Sequence, residues 1–348
     1  MVRSGDAMMP ATGPRGRLPG IFGGGGRLSS TDLYFANACA PLLRRFHRRG
    51  PIRVLGPNSF CAGDIALIVR RDHPATVSRI LSRPWRKLIY LVDDDIDAGV
   101  DDPGLPPAYR ARLKHLQMTQ YHPILHSADV VVTGSKRLAD KHRPMKQVHV
   151  IDPYWAAPLP GGDHFDSLLS GGDLRLVHLG TASHRADLEA ILPALERIMT
   201  RHRDVEFTTF YTFPGLERMA QRLRIRIRSH QSWRQHRKAL PKERFHLALY
   251  PTLATAFNQA RSINKLIEHG VVGAVGLYSA GWQHAHLVDH DGSGFLVGNE
   301  WQAWEETLHR ILSRRERLRS IHRDSRELAV RLNDRDRQLQ FWTGMFEL

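Results

Sequence analysis

Short apolar runs alternate along the chain with stretches whose apolar residues recur every three or four positions, which predicts strands and helices in turn. In the first half, β-branched runs at Ile52–Leu55, Ile65–Val69, Lys87–Val92 and Val148–Ile151 predict strands, Ala128–Ser135 reads as a helix end, a strand and a turn, and helices are predicted over Ala75–Leu81 and Pro107–Met118. Ahead of these, Asp32 is placed to cap a helix running through Leu33, Phe35, Leu42, Leu43 and Phe46. A stretch rich in Pro and Gly, Pro153 to Gly172, breaks the rhythm, which then resumes. Strands are predicted over Leu174–Leu179, Val205–Thr209, Phe245–Tyr250 and Val271–Leu277, with helices over Asp187–His202 and Asn258–His269. Trp301, Trp304, Leu308 and Leu312 mark a further amphipathic helix. Two runs of βαβ units place the chain in the α/β class, as two Rossmann-like domains, 31–155 and 173–320, that face a cleft. Residues 156–172 form the linker and 1–30, with almost no apolar periodicity, a disordered tail. The glycines Gly23 to Gly26 follow no strand and precede no Lys-Ser/Thr, so they are not read as a phosphate loop.

One segment carries most of the candidate chemistry. On a helix Asn258–His269, Arg261, Lys265 and Glu268 fall at i, i+4 and i+7 on a single face, while Leu266 and Ile267 point elsewhere. Two cations and a carboxylate so placed suit a nucleoside diphosphate: cations and the helix dipole hold phosphate, and the carboxylate accepts from a ribose diol. The same spacing also fits an ordinary amphipathic helix with a Lys265–Glu268 surface pair. Gly270 ends the helix and Val271–Leu277 follows as a buried parallel strand.

Charge narrows the class of partner. The 348 residues carry 50 Lys and Arg against 35 Asp and Glu, a net +15. Such a surface attracts polyanions. The arginines are spread along the chain and accompany no nucleic-acid-binding signature, so nucleic acid is not expected. An anionic membrane surface or a phosphorylated substrate remains, as does an arginine-rich background. No membrane-spanning apolar run and no signal-peptide core is present, and Cys39 and Cys61 supply neither a disulfide framework nor a zinc set; a cytoplasmic protein, at most peripheral to the membrane, is expected.

The residues from Tyr250-Pro251 through Arg261-Ser262, Lys265 and Glu268 to the strand at Val271 resemble the donor-site helix of GT-B-fold glycosyltransferases of the group 1, family 4-like type. The resemblance runs through most of the C-terminal portion: Leu179-Gly180-Thr181 with His184 and Arg185 is similar to the family's first strand and turn, and Asp289 to Val297 to a later turn and strand. It implies transfer of a sugar from a nucleotide-diphosphate donor to a hydroxyl of a glycan or lipid-linked acceptor in bacterial surface-glycan synthesis, without metal or cofactor. Arg261 and Lys265 would stabilise the departing diphosphate, Glu268 would hold the donor ribose, Gly180 would let backbone approach phosphate, and Thr181, His184 and Arg185 would contact it. Helices over 321–348 would pack back toward the first domain. One departure stands out: many retaining members carry a Glu where this chain has Ala260, so either sugar recognition differs or Asn258 and Asn264, beside Ser262 in the donor site, share it. That departure also fits a catalytically silent nucleotide-binding or scaffold module.

In the first half the match is weaker, and Asp93-Asp94-Asp95 admits three readings: a Mg²⁺ site of the Asp-x-Asp kind, an acceptor cleft lined by Asp94 and Asp95, or a solvated strand-end turn. His284, His286 and His290 with Asp289 imitate a metal cluster but read more simply as a polar loop.

Overall fold

Two six-stranded sheets organise the residues described by the computed structural model, 26–44, 50–229 and 231–348. The first contains β1 (Arg53–Gly56), β2 (Ser59–Ala62), β3 (Ile65–Val69), β4 (Lys87–Val92), β5 (Val130–Thr133) and β6 (Gln147–Val150), side by side in chain order. Its first two pairings are antiparallel and the other three parallel. Right-handed crossovers between neighbouring parallel strands put the connecting helices on one face. There Ile68, Tyr90, Val92 and Val131 pack with Ile80 of the helix Pro74–Leu81, Leu113 of Pro107–Leu116 and Leu138 of Lys136–His142. On the other face Leu67, Leu91 and Val132 meet Phe35 and, from the end of the chain, Trp342 and Phe346 of the helix Arg335–Phe346.

The second sheet is wholly parallel: β7 (Leu174–His178), β8 (Val205–Thr209), β9 (Ile225–Ile227), β10 (Leu247–Tyr250), β11 (Val275–Ser279) and β12 (Phe295–Val297), in the order β12-β11-β10-β7-β8-β9. The chain therefore starts in the middle and winds outward twice, and the direction of winding changes between β7 and β10. The helices Arg185–Arg201 and Trp301–Leu312 cover one face through Leu188, Ile191, Trp304 and Leu308, whereas Leu266, Ile267 and Val271 cover the other. That second cluster is continuous with residues of the first sheet, so the two halves share apolar core. No described helix is long and apolar enough to cross a membrane.

Several expectations change. β2 was not foreseen, because Ser-Phe-Cys-Ala has no β-branched run; it makes the β1–β3 edge antiparallel where a wholly parallel sheet was expected. The first helix is replaced by a turn at Ser29–Thr31, a wide turn at Asp32–Ala36 and a tight one at Ala40–Leu42, where Pro41 cannot continue a helix; Phe46 lies outside the described residues. Of the expected tail, residues 26–30 run along the core and Ser30 is buried, while the rest, including Gly23 to Gly25, lies outside the described residues. The expected linker is folded against the protein, with Phe165 buried between short helical turns at Asp163–Phe165 and Asp166–Leu169.

The helix Arg335–Phe346 is secured by Trp342, whose indole N–H donates to the Tyr34 carbonyl (2.7 Å) and whose ring meets Phe35 edge-on at 5.1 Å. Truncating a fully buried Trp leaves a large cavity, so Trp342→Ala should cost about 3–5 kcal/mol in urea unfolding. A loss below about 1 kcal/mol would show that this helix does not stabilise the first sheet.

Candidate functional site

The carboxyl ends of β7 and β10 lie where the winding reverses, and they open into a cleft of about 1100 Å³ lined from both sheets. From the second half come Gly180, Thr181 and His184 after β7, Tyr250 at the end of β10, and Arg261, Lys265 and Glu268. The predicted single helix is two, Ala256–Gln259 and Asn264–Val271, broken at 260–263. Arg261 thus projects from the turn between them while Lys265 and Glu268 lie one turn apart on the second helix; the break still brings all three to the cleft. That helix runs one residue past Gly270 and stops at Gly273, whose φ of +69° closes the turn; β11 then begins at Val275 rather than Val271.

The charges here are paired and buried. Lys265 Nζ lies 2.5 Å from Glu268 Oε2 and also donates to the Leu179 carbonyl, so the pair is no surface bridge. Burial alone would push the Glu268 carboxyl up, but Lys265 and a hydrogen bond with His236 override it and hold it at about 2. Arg261 stacks on Phe257 (4.7 Å) and donates from Nε to Asn258 Oδ1 (3.2 Å), while its Nη2 is buried with no hydrogen-bond partner among the described residues. An unsatisfied donor in a cleft costs free energy that an anionic ligand would recover. His184 is neutral: burial, with Arg261 and Lys265 near, pushes it well below the ordinary histidine value, and its ring bonds Asp187 (3.2 Å).

Across the cleft stands the end of β4. Arg70, in left-handed backbone with φ +57°, reaches Asp94 (2.6 Å) and Asp93 (3.5 Å). Burial raises the Asp94 carboxyl, but Arg70 and then Arg261 outweigh it and hold it below the usual range. Burial and the neighbouring Asp94 leave Asp93 above it despite Arg70, and Ser30 Oγ donates to it (2.7 Å).

Other predicted site residues have structural partners. Asp95 caps the helix Ile96–Asp101 and pairs with Lys141 (2.5 Å), away from the cleft. Arg185 is turned outward to Glu189 (2.9 Å). Asn258 binds Asp187 and the Leu253 carbonyl beneath the cleft surface. Ser262 accepts from Tyr34 (2.6 Å) and Asn264 from the Trp155 indole (2.8 Å), so both reach the cleft as links between the halves. Gly180 is small because a Cβ would come 2.4 Å from the His178 ring. Ala260 is buried, and its carbonyl accepts from Ser135 Oγ (2.6 Å). His284 bonds the Arg261 carbonyl and His286 that of Gln283, and among the described residues no group of three or more His, Cys, Asp or Glu side chains is placed to hold a metal ion.

Sequence reasoning missed Arg70, Tyr109, Trp233 and His236, which also line the cleft. Arg70 follows a strand and its positive φ leaves no mark in the sequence. Ser232 and Gln235 form a capping box for the helix Trp233–Ala239, a signal that was available at Ser232-x-x-Gln235.

No family model matches this sequence and no curated protein matches it, but solved structures match its fold. TarM of S. aureus is 11% identical with a TM-score of 0.55, over 81% of this chain and 55% of TarM. Sucrose-phosphate synthase of Thermosynechococcus elongatus is 13% identical (0.55; 79% of this chain, 70% of that one), and HepE of Anabaena in complex with UDP-glucose 14% identical (0.55; 81% and 78%). The chain thus spans about 55% of the length of TarM. It has the GT-B fold, two Rossmann-like units about a cleft.

The ionised Glu268 gives a pH test. Its folded pKa of about 2 lies below the ordinary 4.5, so its contribution is complete above about pH 4.5 and is lost as the pH falls toward 2. Glu268→Gln should cost about 3 kcal/mol at pH 6, with the gap to wild type closing below about pH 4.5 in urea titrations. A gap independent of pH would show that the charge is not what stabilises the site.

Proposed function

We propose that the protein is a glycosyltransferase that moves a sugar from a nucleoside diphosphate donor, bound at the ends of β7 and β10, to a hydroxyl acceptor held against the first sheet. The observation that carries this is the convergence of Arg261 and Lys265 at the winding reversal, with an unsatisfied Arg261 Nη2, opposite Asp93 and Asp94. HepE, of the same fold, was solved with UDP-glucose, which supports the donor class. In the reaction the acceptor oxygen bonds the anomeric carbon as the bond from that carbon to the diphosphate oxygen breaks. Charge developing on the diphosphate is met by Arg261, Lys265 and the start of the helix Asn264–Val271. Glu268, ionised and fixed, would accept from the donor ribose. A retaining reaction would pass the acceptor proton to the departing diphosphate; an inverting one would need a carboxylate, and Asp93, held above the usual range, is a better proton acceptor than Asp94 or the remote Asp95.

No metal is required in this scheme, since side-chain cations neutralise the leaving group. The setting would be bacterial surface-glycan synthesis, with the +15 chain drawn to anionic membrane where the acceptor is lipid-linked. A second reading, a nucleotide-binding module without transfer activity, is favoured by one observation: Ala260 is buried against Ser135, so no carboxylate enters the cleft there. Release of UDP or GDP from a sugar-nucleotide panel separates the two, because a silent module binds without releasing.

UDP or GDP should raise the melting temperature by several degrees, since a ligand at 100 times its Kd stabilises by about 2.7 kcal/mol. Arg261→Ala should remove most of that shift and keep the fold; a full shift in the variant would take Arg261 out of the donor site. Transfer, measured as nucleotide release with acceptor present, should continue in EDTA. Complete loss restored by Mg²⁺ or Mn²⁺ would replace the cationic scheme with a metal-assisted one.

A further inference from the structure

Asp187 is buried in the first turn of the helix Arg185–Arg201 and gathers three partners: its Oδ1 accepts from Leu253 N (2.9 Å) and Asn258 Nδ2 (2.8 Å), and its Oδ2 faces His184 Nδ1 (3.2 Å). Asn258 in turn accepts from Arg261 Nε (3.2 Å), so one carboxylate holds His184 directly and Arg261 at one remove. A carboxylate only accepts, so His184 Nδ1 carries the ring hydrogen and Nε2 a lone pair, on the side of the ring away from Asp187. A lone pair cannot bond a phosphate oxygen, although His184 lines the cleft beside the two cations that would meet the diphosphate. His178 of β7 (rings 5.9 Å apart) and Tyr250 of β10 (6.0 Å) pack against the ring, and the Tyr211 hydroxyl, beyond β8, donates to the His184 carbonyl (2.9 Å). Burial, then Arg261 and Lys265, keep a proton off the ring, whereas Asp94 from the first sheet and Glu268 favour one. A bound diphosphate would set its negative charge against those same cations and cancel their repulsion, while Asp187 stays in place behind the ring.

We propose that His184 and Asp187 form a proton-loading pair: His184 takes up a proton as the donor diphosphate enters, its Nε2–H then donates to a phosphate oxygen, and Asp187 holds the resulting imidazolium through Nδ1–H. This rests on the proposed donor site for the diphosphate itself. The proton comes from solvent and stays on the ring, so the only bond formed is N–H. His184 touches the ligand, and Asp187 acts through it as a positioning residue. The pair gives the filled site a charge-assisted hydrogen bond without burying another unpaired cation in the empty one.

The test is calorimetric titration of UDP into the whole protein in two buffers of different ionisation heat, between about pH 6 and 8. Cations lower the pKa of a phosphate, so UDP itself can only release protons on binding, and uptake identifies the protein. Wild type should take up about half a proton or more per UDP relative to His184→Gln. Because the bound state holds the extra proton, affinity should fall as the pH rises, by up to about tenfold per unit. Asp187→Asn offers Nδ1 an N–H and so turns the ring to the tautomer with its hydrogen on Nε2; that variant should bind UDP without uptake and with an affinity flat across the range. No uptake in wild type, or uptake undiminished in His184→Gln, overturns the proposal even where Asp187→Asn does not fold. Uptake retained in a folded Asp187→Asn overturns the part given to Asp187. Failure of both UDP and GDP to bind wild type brings down the donor site and the pair with it, whereas binding without uptake leaves the donor site standing and removes only the pair.

Discussion

The segment from Leu28 to Ala36 is the constraint on which the cleft depends, because almost every residue of it ties together parts that are distant in the chain. Thr31 and the Leu28 amide bond Asn58 in the β1–β2 turn, and Ser30 bonds Asp93 at the end of β4. The Leu33 and Tyr34 carbonyls accept from Gln338 and Trp342 of the last helix. From the second half, Trp233 (2.8 Å) and Arg237 (2.9 Å) both donate to Asp32, and the Tyr34 hydroxyl donates to Ser262 (2.6 Å). These groups are largely withdrawn from water, so each bond lost would leave a buried polar atom unsatisfied. One short stretch therefore sets how far the two sheets stand apart, and the site is as wide as that stretch allows.

What the sequence disclosed follows from which signals are local. β4 was legible to the residue because its apolar run is buried on both faces and ends at polar residues, and β8 because Val205, Phe207 and the two threonines after it favour a strand. Arg261, Lys265 and Glu268 were expected on one face of a single helix; that helix is broken, and Arg261 meets the other two at the cleft because the turn at 260–263 carries it there by a different path. Asp95 and Arg185 were misassigned because their partners, Lys141 and Glu189, are found by geometry or by a common i,i+4 pair that looks the same on any helix. Segment 26–31 was unreadable for a stronger reason. It is held by Asn58 and Asp93, and nothing in its own sequence, Gly-Arg-Leu-Ser-Ser-Thr, records partners so far away.

Charge placement explains how the cleft tolerates so many ionised groups. Lys265 with Glu268, and Arg70 with Asp93 and Asp94, arrive at the site already neutralised, which avoids the cost of isolated buried charges. His178, His184 and His269 reach the same end by remaining uncharged, each held below the ordinary histidine value first by burial and then by neighbouring basic groups. The resting site is thus close to balanced although the whole chain carries +15.

Balance sets what a ligand must supply. A nucleoside diphosphate entering beside Lys265 meets an ammonium already shared between Glu268 and the Leu179 carbonyl, so that contact exchanges partners and yields little net binding. Arg261 is different, because its Nη2 has no hydrogen-bond partner among the described residues and any anion it meets is gain without exchange. Binding free energy should then be concentrated on Arg261, whereas in the proposed transfer Lys265 would contribute most when the departing diphosphate acquires more charge than Glu268 presents. If the protein transfers a sugar as proposed, both cations would meet the developing charge, but Arg261 would give most of its energy already in the bound state whereas Lys265 would give more in the transition state, and only that difference would raise the rate of the chemical step.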